Sequence, residues 1–247
     1  MAGHTEEILD QILKSLEGLE YIKPEEIPNI DLYMDQVTTF MDKHLRPGLR
    51  NPGEDKILTK TMINNYAKND LLPPPVKKKY SKEHVLLLIF IYYYKGIMSI
   101  SDIQTLLGPL TEQFFQNDKA FNLEKVYEEV FSMEKEQIDA LKRDIQESYR
   151  QAQDTFADAP EESRDFLREF TFICLLSFDV YQKKLIIERM IDEMRSDGMR
   201  DNRKAGKRDG KKEAKKEAKK EQKMEAKAEG KMEAKIEARI EENRDVD

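Results

Sequence analysis

The sequence predicts a mostly α protein: a helical domain carrying a basic wing, then a long helical hairpin and a charged helical tail. Three observations predict it. Apolar residues recur at helical spacing along most of the chain. Three lysines, Lys77 to Lys79, follow three consecutive prolines in a stretch too short and stiff to be a helix. From Asp197 onward the chain runs in four-residue units rich in Ala, Glu and Lys. The expected divisions are 1–22, an N-terminal amphipathic helix; 23–110, the winged domain; 111–196, the hairpin; and 197–247, the tail.

Composition supports folded cores. Of 247 residues 39% are hydrophobic, with ten Tyr and eleven Phe, and 37% are charged with a net charge of −7. The charge is unevenly spread. Between Lys43 and Lys82 ten Lys/Arg stand against Glu54, Asp55 and Asp70, a local balance of +7 on an acidic chain. Such a patch orients a molecule on a polyanion without coating it. The single cysteine, Cys174, lies in an apolar run and allows no intrachain disulfide, which predicts a reducing, cytoplasmic setting. No signal peptide is read at the N-terminus, and the longest apolar run, near Phe170 to Phe178, is short of the about 20 residues that span a bilayer.

In chain order, Thr5 to Ile22 sets Ile8, Leu9, Ile12, Leu13, Leu16 and Leu19 on one helical face. Pro24 and Pro28 make a linker, and Asp31 is the expected cap of a helix with Leu32, Val37, Phe40, Met41 and Leu45 inward. The loop from Arg46 to Glu54 carries Arg46 and Arg50, both able to reach phosphates.

Thr59 is placed to cap a helix through Asn69. One face of that helix carries Met62, Ile63, Tyr66 and Ala67, the other Thr61, Asn64, Asn65 and Lys68. A polar face is most often simply solvated. Asn, however, is a poor helix former, and its amide can pair bidentately with an adenine edge in the major groove. Pro73 to Tyr80 is then a wing whose Lys77, Lys78 and Lys79 would lie on a phosphate backbone, joined there by Lys60. Ser81 caps the next helix, whose Val85 to Tyr92 run is expected to be buried until Gly96, and Ser99 with Asp102 opens a short helix that Gly108-Pro109 should end. His84 is expected at the surface or in a cap.

The order Thr59, MINNY, Asp70, LLPPP, basic loop, Tyr80, Ser81, apolar helix, Gly96, SISDIQTLL resembles the winged helix-turn-helix of MerR-type regulators. Tyr66 matches the last aromatic of that family's helix-ending triplet, Leu71 and Leu72 its Leu pair, and Tyr80 the aromatic closing the wing. Asn64 stands where the family has a phosphate-contacting Arg, and Asp70 where it has Gly. With the upstream LYMDQVTTFMDKHLRPGLRNPGEDKILTK, the stretch from about Ile22 to Gln182 is similar to a bacterial family described only as a domain of unknown function with a MerR-like DNA-binding domain. The resemblance implies double-stranded DNA as partner, with Arg46, Arg50, Thr59, Lys60, Thr61, Asn64, Asn65, Tyr66, Lys68, Lys77, Lys78 and Lys79 as contacts, and a homodimer made by the long helices after the wing. It names no effector.

Thr111 to Phe121 reads as a short helix and turn. Leu123 to Phe156 and Ser163 to Arg195 read as two long amphipathic helices joined across DAPEE, an antiparallel hairpin that forms either a subunit interface or the monomer's own core. In the tail, acidic residues recur at every fourth position from Glu213 to Glu241, and Met224, Ala228, Met232, Ile236 and Ile240 form a stripe that drifts by about 40° per unit. A helix pairing with another tail and an unselected tetrapeptide expansion both fit.

His4, His44 and His84 are far apart and away from Cys174, and neither a Gly-rich phosphate loop nor a nucleophile context is present. The sequence therefore predicts no cofactor, no metal and no enzyme. Two functions stay open: a DNA-binding transcriptional regulator, and a helical adaptor between proteins with a coiled-coil tail.

Overall fold

A computed structural model describes residues 2–17, 21–117 and 120–197. It divides into two compact units, Met1–Asp192 and Glu193–Asp247. Of the second, only 193–197 are described, and these are helical. The tetrad tail, from residue 198, lies outside the described residues.

The first unit is mostly helical. In order come α1 (Ala2–Glu17), β1 (Leu32–Tyr33), α2 (Met34–Leu45), α3 (Lys60–Lys68), β2 (Lys79–Tyr80), α4 (Lys82–Tyr94), α5 (Ile100–Phe114), α6 (Leu123–Ser132) and α7 (Glu134–Gln153). A final helix, α8, starts at residue 161 and occupies the rest of the unit.

Helix α4 is the centre. Every residue from His84 to Ile91 is buried, so it is apolar on all sides and must be covered on all sides. Val37 and Met41 of α2, Ile63 and Tyr66 of α3, Ile103 and Leu107 of α5, and Leu123 and Tyr127 of α6 join it in one core. The Tyr127 hydroxyl donates to the Ile22 carbonyl at 2.7 Å, tying the start of this domain to its end.

Four local expectations are corrected. The α2 cap is Tyr33, not Asp31: its N–H donates to Gln36 Oε1 at 2.8 Å, while Leu32 and Tyr33 pair antiparallel with Tyr80 and Lys79. Gly108-Pro109 does not end α5, because Ile103, Leu107, Leu110 and Phe114 continue one apolar stripe through the proline. Burial along that stripe offsets the roughly 3 kcal/mol that an internal proline costs. The helix expected from Leu123 to Phe156 breaks at Met133 into α6, which belongs to the α4 core, and α7, which pairs with α8. His84 caps from the inside rather than at the surface, being 1% exposed.

Helices α7 and α8 do form the expected hairpin. Tyr149 meets Phe172 edge to face at 5.4 Å, and Arg168 Nε donates to the Thr155 carbonyl at 3.2 Å near the turn. Helix α1 covers part of α7 with Leu9 and Leu13, which face Arg143 and Tyr149 across a groove.

Candidate nucleic-acid interface

Thr59 opens α3 as its sequence suggests. Its hydroxyl accepts from the Met62 N–H at 3.2 Å, satisfying one of the free donors of the first turn. Ile63 and Tyr66 then anchor the helix in the core, which turns Thr61, Asn64, Asn65 and Lys68 outward, all four exposed. Tyr66 itself is 5% exposed, so its ring serves the core and cannot reach a groove. Burial raises its hydroxyl pKa.

The end of α3 is a tight reversal. Asp70 takes φ 53°, the left-handed conformation, and the N–H groups of Leu71 and Leu72 both reach the Tyr66 carbonyl, at 2.9 and 3.3 Å. This directs Leu71 and Leu72 into the core, 3% and 1% exposed. The Asn69 side chain donates to the Asn65 carbonyl at 2.8 Å, and Gln104 of α5 donates to the Asn69 carbonyl. The Gln104 contact had no sequence signal, since it joins residues 35 apart.

The stretch after the prolines is a two-residue turn. Val76 and Lys79 bridge across it, with Lys79 N–H donating to the Val76 carbonyl at 3.0 Å. Lys77 and Lys78 form the tip at φ 50° and 64°, both exposed. Such turns favour Asn-Gly or Gly-Gly because both central residues need positive φ. Lys79 behaves differently: opposite Tyr33 in the β1–β2 pair, it lies over that ring at 5.2 Å.

The remaining cations divide in the same way. Arg50 is exposed in the loop after α2. Arg46 is engaged by its own chain, with Nε to Asp42 at 2.8 Å, a second contact to the same carboxylate, and another to the Pro52 carbonyl. That guanidinium holds the Asp42 carboxyl below its usual range. Lys60 pairs with Asp35 at the start of α2, both side chains being mostly exposed. Thr38, Asp42, Arg46, Lys56 and Thr59 line a shallow depression where α2 meets the start of α3.

Beneath this surface sits His84. Nδ1 accepts from the Ser81 N–H at 3.0 Å and lies 2.8 Å from the Ser81 hydroxyl. The ring packs edge-on against Phe115 at 4.8 Å and Tyr80 at 5.5 Å. Nε2 is buried without a partner at hydrogen-bond distance. Burial lowers its pKa, opposed by the Pro74 and Pro73 carbonyls and Asp31, which favour the charged ring without reversing the shift. The spacing Ser81-x-x-His84 was legible as a cap; the burial was not.

Among the described residues no group of three His, Cys, Asp or Glu is arranged to hold a metal ion, and no helix is long and apolar enough to cross a membrane. No curated protein and no solved structure matches the chain. Residues 22–130 match a family model described as a domain of unknown function (DUF1836), a span that begins at Ile22 and takes in the whole core built round α4, as far as Tyr127.

Proposed function

We propose that residues 22–130 act as a MerR-like winged helix-turn-helix that binds double-stranded DNA and regulates transcription. In this reading Thr61, Asn64, Asn65 and Lys68 of α3 enter the major groove. Lys77 and Lys78 rest on the phosphate backbone, with Arg50 beside the groove as a further contact. Lys60, Arg46 and Lys79 join them by exchanging Asp35, Asp42 and the Tyr33 ring for phosphate.

One observation carries the reading: two lysines occupy the left-handed positions of an exposed turn. A non-glycine residue there costs on the order of 1–3 kcal/mol, and such strain collects where side chains have work to do. A turn needed only to reverse the chain is better served by Asn-Gly.

The test separates stability from binding. Lys77→Asn combined with Lys78→Gly is expected to raise Tm while weakening binding to random duplex DNA, measured by fluorescence anisotropy at low salt. Loss of two phosphate contacts should also lower the log–log salt slope by about two. On a selected site, Asn65→Ala should cost about 1–3 kcal/mol at one base pair and little elsewhere. Absence of binding to duplex DNA at low salt sinks the proposal. The adaptor reading then takes its place, favoured by the pairing of Arg46 and Lys60 within the chain.

A further inference from the structure

The two-residue strands β1 and β2 make a ribbon with two unlike faces. Leu32 lies opposite Tyr80 and Tyr33 opposite Lys79, while Val76 bridges Lys79 from across the turn. Residues directly opposite one another point to the same side, and successive residues to opposite sides. Leu32 and Tyr80 therefore share the inner face, where they are 4% and 2% exposed and join the core. Tyr33, Lys79 and Val76 share the outer face as one row: a ring, a cation and an aliphatic side chain.

This row is open to solvent. Tyr33 is 54% exposed and Val76 58%, and Lys79 Nζ lies over the ring at 5.2 Å. It is also held in place. The inner face fastens the ribbon to the core, and the Tyr33 N–H donates to Gln36 Oε1 at 2.8 Å where α2 begins. A ring presented on a fixed backbone has little freedom left to lose when a ligand covers it.

A phosphate backbone accounts for the lysines but not for the row. Lys77, Lys78 and Lys79 meet a polyanion by charge, whereas an exposed tyrosine and valine beside them add nothing to an ion pair. A strand of unpaired bases matches both features, because it carries a phosphate on each unit and a bare π-face between them. In a duplex those faces are hidden by their neighbours in the stack. Proteins hold single strands through this same pairing of cations with aromatic platforms.

We infer that the outer face of the ribbon binds single-stranded DNA, with one base stacked on Tyr33 and flanked by Val76. Lys79 leaves the ring for a phosphate of the same strand, and Lys77 and Lys78 at the exposed tip take the neighbouring phosphates. The strand is DNA because the inference rests on the reading of these lysines as DNA contacts. Tyr33 and Val76 have no part in duplex binding.

The test is fluorescence anisotropy of the full chain with labelled oligo(dT), an abasic deoxyribose-phosphate strand of the same length, and a duplex. Wild type should hold oligo(dT) on the order of tenfold more tightly than the abasic strand, the worth of one stacked base. Tyr33→Leu, with helical circular dichroism retained, should bind the two strands alike and keep the salt slope, while Tyr33→Phe should behave as wild type. Lys79→Gln should instead lower the slope on oligo(dT) by about 0.7, the share of one phosphate contact on a single strand. Duplex affinity should be the same in wild type and Tyr33→Leu. Equal binding of oligo(dT) and the abasic strand by wild type, or an oligo(dT) affinity indifferent to Tyr33→Leu, overturns the inference. So does tighter binding of oligo(rU) than of oligo(dT), which would make RNA the ligand. A duplex bound while oligo(dT) is not overturns this inference alone. Oligo(dT) bound through Tyr33 with no duplex binding supports it and overturns the duplex reading alone.

Discussion

Residues 22–130 and the α7–α8 hairpin handle apolar surface in opposite ways. The first region wraps α2, α3, α5 and α6 round α4 until the residues from His84 to Ile91 are all buried. The second pairs two helices and leaves Phe166, Phe170, Ile173, Phe178, Val180 and Tyr181 at 55–66% exposure. A central helix can be covered on every side by its own chain, whereas a two-helix hairpin has an outside by geometry. The first therefore owes its stability to its own closed core, and the second keeps apolar surface at its exterior.

The largest effect should come from the closed core. Leu88 is fully buried, and Leu88→Ala should destabilise by about 2–5 kcal/mol in urea denaturation, the cost of lost burial plus a cavity. Ile173 is 56% exposed, so Ile173→Ala should cost less than about 0.5 kcal/mol, the range of ordinary surface changes. Similar losses at both sites would erase the contrast between the regions.

That contrast was partly legible in the sequence. The unbroken run from Val85 to Ile91 announced a helix buried on all sides, and Thr59 and Ser81 announced their caps, because these signals are local. The break at Met133 and the passage of α5 through Pro109 were not legible. The first is decided by Tyr127 and Phe131, whose rings meet Phe90 of α4, and the second by Leu110 and Phe114, which pack against the shared core; these partners lie far from them in sequence. The two-residue strands were too short to show any alternation. At the candidate interface the outward face of α3 followed from its period. The inward turn of Tyr66 followed from the same period, yet the family resemblance had assigned it to DNA. The left-handed Lys77 and Lys78 had no signal, since the residues that usually mark such turns are absent there.

An effect of intermediate size should appear with acid, and only in the closed region. The fold favours neutral His84, while the unfolded chain takes up a proton near the ordinary value of 6.5. The unfolded state thus binds more protons, so this contribution to stability is full above that value and is lost as pH falls below it. Tm should decline from pH 7.5 to 5.5. His84→Gln keeps an acceptor for the Ser81 N–H and does not titrate, so it should flatten that slope while lowering Tm at pH 7.5. Hydrogen exchange should place the acid-sensitive opening in α4 and not in α8. An unchanged slope in His84→Gln would assign the pH dependence to other groups.

The smallest effect separates strain from charge within the closed region. Asp70 and Lys78 both take left-handed φ, at 53° and 64°, and both side chains are exposed. Asp tolerates this conformation better than Lys because its short side chain can bond to nearby backbone. Asp70→Gly should therefore stabilise by a few tenths of a kcal/mol, less than Lys78→Gly does, after the added freedom of glycine in the unfolded chain is counted. Both changes relax a turn, but only the second removes a cation from the proposed DNA surface. If strain alone sets behaviour in this region, the two variants will bind duplex DNA alike. If the lysines at the tip hold phosphate, Asp70→Gly will keep full affinity and a full salt slope, while Lys78→Gly loses about one unit of slope despite being the more stable protein.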